Sequence, residues 1–429
     1  MSQTNEKTRS KVTCQIVTCG HLATLLYFFK KYKRKLYMPN ENPIEEAKKI
    51  ISGIQQFVGI RDVFGDNKEL RWSPLSVVGI LVSWCVGVAF LYTGPFSEIM
   101  YLVSVFPDKV DSFKAVNLIS ATCVPISKYI FMWTSRNRLK TIMKMSHEGL
   151  GVLPEGSPAR ARMLQTLHKA QGVSWLVILN QAIVHIGYLL LPLFLTVFMN
   201  GRYLPTTGES YGLTPKYETP YYEATFVITC VATAFSAINQ TGYIVLFVTL
   251  VAHELGHFYV ITETFNEIYK LSSATRENDD LRKEIDEKLT FCIRHHQFLI
   301  KYHGKISELY QAILGAQFLI MIIVLVTTLQ TMYYWHFSNT IITGVAGIMP
   351  LTIYCFGGEL IISTAENMSE AIYSCGWEMM EPRQARAVGF ILCISQRPLH
   401  LTAAGVTTMN RDTFANVVQA VYKIYAVFN

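Results

Sequence analysis

The sequence predicts an all-α membrane protein of seven transmembrane helices with inverted topology, the amino terminus cytoplasmic and the carboxyl terminus extracellular. Three observations carry that reading. Over 429 residues the chain is 51% hydrophobic and only 16% charged, too apolar for an ordinary soluble protein of this length. Apolar stretches recur at the length a bilayer core requires, about 20 residues for about 30 Å. Lys and Arg alternate sides of those stretches in the way the positive-inside rule demands.

Taken in order, residues 1–72 form a cytoplasmic region. Within it, residues 14–29 are too short and too polar to span, and the KKYKRK that follows suits a helix lying in the membrane interface. The spans are expected at 75–96, 113–133, 173–199, 223–252, 310–335 and 339–363, with a weaker seventh at 410–429. Between the fourth and fifth, residues 253–309 make a long cytoplasmic connection whose centre, RENDDLRKEIDEKL, has the charge alternation of a solvated helix or loop. Near its end the chain reads as a short helix over 383–396, a stop at Arg397 and Pro398, and a new helix capped by Asn410 with Asp412 in its first turn.

Orientation follows from the basic residues. The loops on one side hold only Lys109, Lys114, Arg202 and Lys216, while Lys128 and Lys423 fall inside spans. Every other Lys and Arg lies in 1–72, 134–172, 253–309 or 364–411, which are therefore cytoplasmic. The net charge of +7 is then leaflet electrostatics and not a nucleic-acid footprint. A G-protein-coupled receptor would need the opposite orientation and usually an outer-loop cysteine, and none of the nine cysteines falls in an expected outer loop.

One motif points elsewhere. HELGH, 253–257, places His253 and His257 one turn apart on a helix with Glu254 between them, the pattern of many zinc proteases. At the foot of the fourth span it suits only an intramembrane enzyme, which needs a third ligand, usually an aspartate followed by glycine. The later aspartates, Asp279, Asp280, Asp286 and Asp412, are not followed by glycine, and neither Glu263 nor Glu267 sits in a third-ligand motif. The expectation is no enzyme, no metal and no cofactor, with the two histidines as polar residues at a membrane exit. The fourth span also carries a polar belt, Ser236, Asn239, Gln240 and Thr241, suited to interhelical bonding or to lining a cavity.

The last eighty residues resemble insect odorant receptors. The pieces are Tyr354-Cys355, Gly358-Glu359, Ala371-Ile372-Tyr373 with Trp377, Arg397-Pro398-Leu399, Thr402-Ala403-Ala404-Gly405 and Thr413-Phe414 before a terminal apolar helix. The FVGI ahead of the first span, the P-Y-Y of the second outer loop, and His253 with Gly256 extend the likeness upstream. The resemblance implies an odorant-tuned subunit, distinct from the shared co-receptor, of a ligand-gated non-selective cation channel. Its expected partners are co-receptor subunits in a hetero-oligomer, a tetramer in that family, together with a small volatile organic ligand, cations and membrane lipid; its expected place is the plasma membrane of sensory neurons.

It further implies an odorant-binding bundle over 73–252, a cytoplasmic anchor from 253–309 and 364–409, spans at 310–363, and a pore-lining helix at 410–429. The last helical region is thus split into an anchor piece and a pore piece. The ligand zone implied, between spans two, three, four and six, contains Asn117, Ser120, His185, Tyr188, Phe226, Cys230, Ser338, Ile341 and Ile342. In the pore helix Ala420, Ile424 and Val427 recur at three- and four-residue spacing, an apolar constriction able to block ions by dewetting, with Lys423 beside it.

Overall fold

The computed structural model describes residues 84–199, 201–205, 210–274, 279–332 and 337–428, without the side chains of 274, 337–343 and 428. The expectations for residues 1–72 and for the start of the first span lie outside them. The helices are α1 (Trp84–Val105), α2 (Lys109–Thr134), α3 (Arg136–Gly151), α4 (Pro158–Phe198), α5 (Tyr221–Ala274), α6 (Asp279–Thr331), α7 (Phe337–Tyr373), α8 (Pro382–Ser395) and α9 (Arg411–Phe428). Among the described residues, α1, α2, α4, α5, α6 and α7 are long and apolar enough to cross a membrane. The seventh expected span appears as α9, an 18-residue amphipathic helix.

Helix ends depart most from expectation. The first span was expected to stop at 96, yet α1 runs on to Val105 through a π-helical turn over Tyr92–Phe96 that contains Pro95. Proline lacks the N–H that would bond one turn back, and its ring crowds the carbonyl there, so the helix widens. Ser97 Oγ donates to Tyr92 O at 2.7 Å across that turn. Asp108 then caps α2, accepting from Asp111 N at 2.9 Å.

Within the connection at 253–309, residues 253–274 and 279–309 are likewise helical extensions of the neighbouring spans. α5 and α6 have 54 and 53 residues, each about 80 Å at 1.5 Å per residue and more than twice a bilayer core. Hydropathy marks where a helix leaves hydrocarbon; it does not mark where the helix ends. In the extension the apolar period persists, with Ile285, Leu289, Cys292 and Leu299 buried while charges occupy the other face. α4, of 41 residues, begins at Pro158 with Ser157 as its cap, again well before the expected 173.

We call the end of the bundle carrying the 106–108 and 201–220 connections the upper end, and the other the lower. α5 packs against α4, α6 and α7, and α2 lies along α6. The most apolar stretch of α5 is almost wholly buried, whereas those of α1 and α4 are mostly turned outward.

After α8, opened by a Glu381–Gln384 capping box, comes an antiparallel ribbon, β1 (Thr402–Ala403) with β2 (Thr407–Thr408). Its turn puts Ala404 and Gly405 at φ 53° and 73°, the left-handed pair a tight hairpin turn needs. Ala404 N donates to Gln311 O at 2.9 Å. The ribbon docks where α6 and α7 offer no side chain: a Cβ on Gly315 would lie 2.7 Å from Ala404 Cβ, and one on Gly358 only 2.0 Å from Met409 O. Asn410 caps α9 as expected, accepting from Thr413 N at 2.9 Å, and Arg411 Nη2 donates to Glu359 Oε1 at 2.7 Å. The Gly-Glu pair of the sequence motif thus seats the ribbon and the first turn of α9.

Candidate ligand cavity

Between α1, α2, α4, α5, α6 and α7, in the upper half of the bundle, lies a cavity of about 200 Å³. α1 contributes Phe90, Thr93, Gly94 and Glu98; α2 contributes Leu118, Ala121, Thr122 and Val124. α4 adds Gln181, Val184, His185 and Tyr188, and α5 adds Thr229, Ala232, Thr233, Ser236 and Gln240. Met321 and Val324 of α6, Ala346 and Gly347 of α7, and Pro205 complete the wall. The π-helical turn shapes it: Gly94 brings α1 within 3.0 Å, measured from an ideal Cβ, of Thr122 Cγ2. Above, Tyr211 N donates to Ser97 Oγ at 3.1 Å and Tyr92 Oη donates to Tyr211 O, tying the 210–220 connection to the top of α1.

The wall is mostly apolar with a few convergent polar groups, the usual make-up of a small-molecule site. His185 Nδ1 bonds Gln181 O at 2.8 Å, which leaves its ring edge toward Tyr188, 6.4 Å away between centroids. Gln181 is buried and its Nε2 has no partner within the described residues. Such an amide donor at a cavity wall offers a hydrogen bond to an acceptor on a bound molecule.

Of the residues the sequence nominated, His185 and Tyr188 line this cavity. Asn117 is placed otherwise: its Nδ2 donates to Thr327 Oγ1 at 2.8 Å, Thr328 Oγ1 at 2.9 Å and Val324 O at 3.1 Å, clamping α2 to α6. Ser120, Phe226 and Cys230 lie near but are not among the lining residues, Phe226 packing on Tyr222. The side chains of Ser338, Ile341 and Ile342 lie outside the described residues. From the polar belt, Ser236 and Gln240 face the cavity while Asn239 and Thr241 are buried elsewhere. Glu98 was missed because the first span was ended two residues before it; the signal available was the run of apolar residues continuing from Ile99 to Val105.

The HELGH residues belong to the lower layer and are fully buried. Glu254 accepts from His303 Nδ1, and His257 Nδ1 meets His295 Nε2 at 3.1 Å. Tyr302 Oη and Ser146 Oγ bond at 2.8 Å beside them. These groups lie beyond the span ends at 252 and 310. Burial, opposed by the Glu254 carboxylate and the His400 backbone, leaves the His303 imidazole above its usual range. Burial and then His295 and His253 push His257 well down, and burial with His296 holds His295 at about 4. A zinc site would need these groups turned to one ion, but Glu254 Oε1 is directed at His303 and His257 Nδ1 at His295. Among the described residues no group of three or more His, Cys, Asp or Glu is arranged to hold a metal.

On α9, Thr413, Val417 and Val421 form the buried face, and Gln330 Nε2 donates to Tyr425 O at 3.4 Å. Ala420 is half-buried, whereas Lys423, Ile424 and Val427 are exposed on the open side of the helix.

Fold and cavity define a polytopic helical membrane protein with an internal cavity in its upper half. The sequence profile of the family described as 7tm Odorant receptor matches residues 110–422; the chain belongs to that family. Similar proteins include three receptors of Drosophila melanogaster. Odorant receptor 10a is 32% identical over 19% of this chain and 20% of its own length. Odorant receptor 22b is 22% identical over 36% and 39%, and Odorant receptor 30a is 24% identical over 56% and 62%. The aligned stretches therefore span less than two thirds of these relatives. The fold matches the insect olfactory receptor OR5 from Machilis hrabei with a TM-score of 0.70, at 15% identity over 89% of this chain and 96% of that one. It matches that receptor in complex with eugenol equally well, with a TM-score of 0.70, 14% identity and 90% and 96% coverage.

Proposed function

We propose that this chain is an odorant-tuned subunit that assembles with a co-receptor into a ligand-gated, non-selective cation channel of the sensory-neuron plasma membrane. The observation that carries the reading is the upper cavity, set among six helices and equipped with a donor in Gln181 and a ring edge in His185. Binding free energy comes from apolar burial at about 25 cal/mol per Å². The polar groups orient the guest, and the unpartnered Gln181 amide favours a volatile that carries an oxygen acceptor. The OR5 receptor solved with eugenol is a protein of this fold holding a small organic molecule.

In this reading the upper end faces outward and the amino terminus is cytoplasmic, as the distribution of Lys and Arg favours. Residues 253–309 and 364–409, with the lower ends of the helices, form the anchor where subunits meet. α9 lines the pore, with Ile424 and Val427 on its open face as the apolar constriction and Lys423 beside them. A ligand that fits the open arrangement better than the closed one shifts the equilibrium by that difference in affinity.

The test is co-expression with the co-receptor and recording of currents to a broad panel of volatiles. A response to some members, lost without the co-receptor, is expected; silence to all of them overturns the reading. Glu254→Gln should change neither ligand selectivity nor bound metal, against the intramembrane protease alternative.

A further inference from the structure

One helical turn beneath the cavity floor at Val124 and Gln240, the bundle closes on a lysine. Lys128 of α2 is 1% exposed, and its Nζ has no hydrogen-bond partner. The ammonium stands 5.2 Å from the centroid of the Tyr243 ring. Three phenols from three other helices pack into the same cluster: Tyr243 on α5, Tyr310 on α6 and Tyr354 on α7, each fully buried. Their hydroxyls likewise have no partner. The Tyr243 ring lies 5.8 Å from that of Tyr310 and 6.1 Å from that of Tyr354, between centroids. The Phe247 ring meets those of Tyr310 and Tyr354 at 5.3 and 5.1 Å between centroids, which makes the phenols members of one buried cluster. Phe131 and Phe247 wall the space in.

Four buried donors with no acceptor side chain bonded to them are an unusual arrangement, because buried polar groups are as a rule hydrogen-bonded. An ammonium offers three donors and no acceptor. Its attraction to an aromatic face supplies only part of what hydration supplied. An ionisable group at membrane depth calls for a countercharge, and among the described residues no carboxylate bridges Lys128. Waters could take the hydrogen bonds but bring no charge. We propose that Lys128, Tyr243, Tyr310 and Tyr354 form a buried site for a small monovalent inorganic anion of the halide class, held by the ammonium and by phenol O–H donors. The ion ties α2, α5, α6 and α7 together just below the ligand cavity, and the proposal stands whether or not the chain gates a pore.

The experiment uses the purified full-length receptor in lipid nanodiscs, its thermal midpoint followed in sodium chloride, sodium bromide and sodium gluconate at equal ionic strength. Gluconate is too large to enter. We expect a saturable rise of about 2 °C in either halide over gluconate, reduced by at least half in Lys128→Met. Where that variant does not fold, the double variant Tyr310→Phe, Tyr354→Phe carries the comparison. Equal midpoints in the three salts, or a halide step that survives undiminished in the folding variant, overturn the proposal. The variant comparison separates a site from general salt effects.

Discussion

Around the cavity, the Gln181 amide nitrogen has no partner and His185 bonds only backbone, at Gln181 and Thr233, whereas in the lower layer Glu254, His257, His295 and His303 bond one another across α5 and α6. Polar side chains on apolar helices face a hollow in one region and are paired with each other in the other. Availability suits a region that must exchange a guest; commitment suits one that must keep its shape. The upper helices α1 and α4 also keep one face outward, while the lower extensions of α5 and α6 are packed over more of their circumference.

The contrast can be broken most forcefully in the lower layer. Glu254→Leu leaves His303 buried without its carboxylate, and we expect a loss of about 3 kcal/mol or more, read as a fall in thermal midpoint and in cell-surface yield. Gly358→Ala drives a Cβ into the Met409 carbonyl, a backbone atom held by the ribbon; a loss of about 2–3 kcal/mol is expected by the same measurements. Acidification sharpens the comparison. The His295 imidazole, at about 4 when folded, binds its proton near pH 6.5 once unfolded. The unfolded state therefore takes up more protons between those values, and stability is lost as pH falls below about 6.5.

For His295 alone the loss from pH 7 to pH 5 is about 2 kcal/mol. His257 acts in the same direction. His303, raised when folded, works the opposite way, gaining stability as pH falls below its folded value. Unfolding free energies measured at pH 7 and pH 5 should therefore differ less in His295→Phe than in the unaltered chain. In the upper region effects on stability should be small and effects on ligand response selective. Gln181→Leu should raise the half-maximal concentration of oxygen-bearing volatiles about tenfold, equivalent to one lost hydrogen bond of about 1.4 kcal/mol. The thermal midpoint should stay within about a degree, and hydrocarbons of the same shape should be unaffected.

The sequence made legible what hydropathy and local chemistry encode. Residues 113–133 and 223–252 lie within α2 and α5, and the Asn410 cap sits where its side chain requires. Helix ends were less legible, since the lower extensions of α5 and α6 are held by packing across helices, and a charged face there resembles any solvated stretch. The cavity was half legible: His185, Tyr188, Ser236 and Gln240 stand out as polar groups in spans, yet so does Asn117, and only the position of α6 decides that Asn117 clamps a helix. Glu98, Thr229 and Thr233 gave little signal, because a wall is defined by which helix faces meet. HELGH was conspicuous for a spacing that here serves bonds to His303 and His295.

The length of α5 and α6 has a mechanical consequence. A stiff rod of about 80 Å that leans by 3° carries its far tip sideways by about 4 Å. In the proposed channel, small rearrangements around a guest near one end of such rods are thereby amplified into displacements at the other end comparable to the radius of an ion's passage, with no need for any side chain in between to change its neighbours.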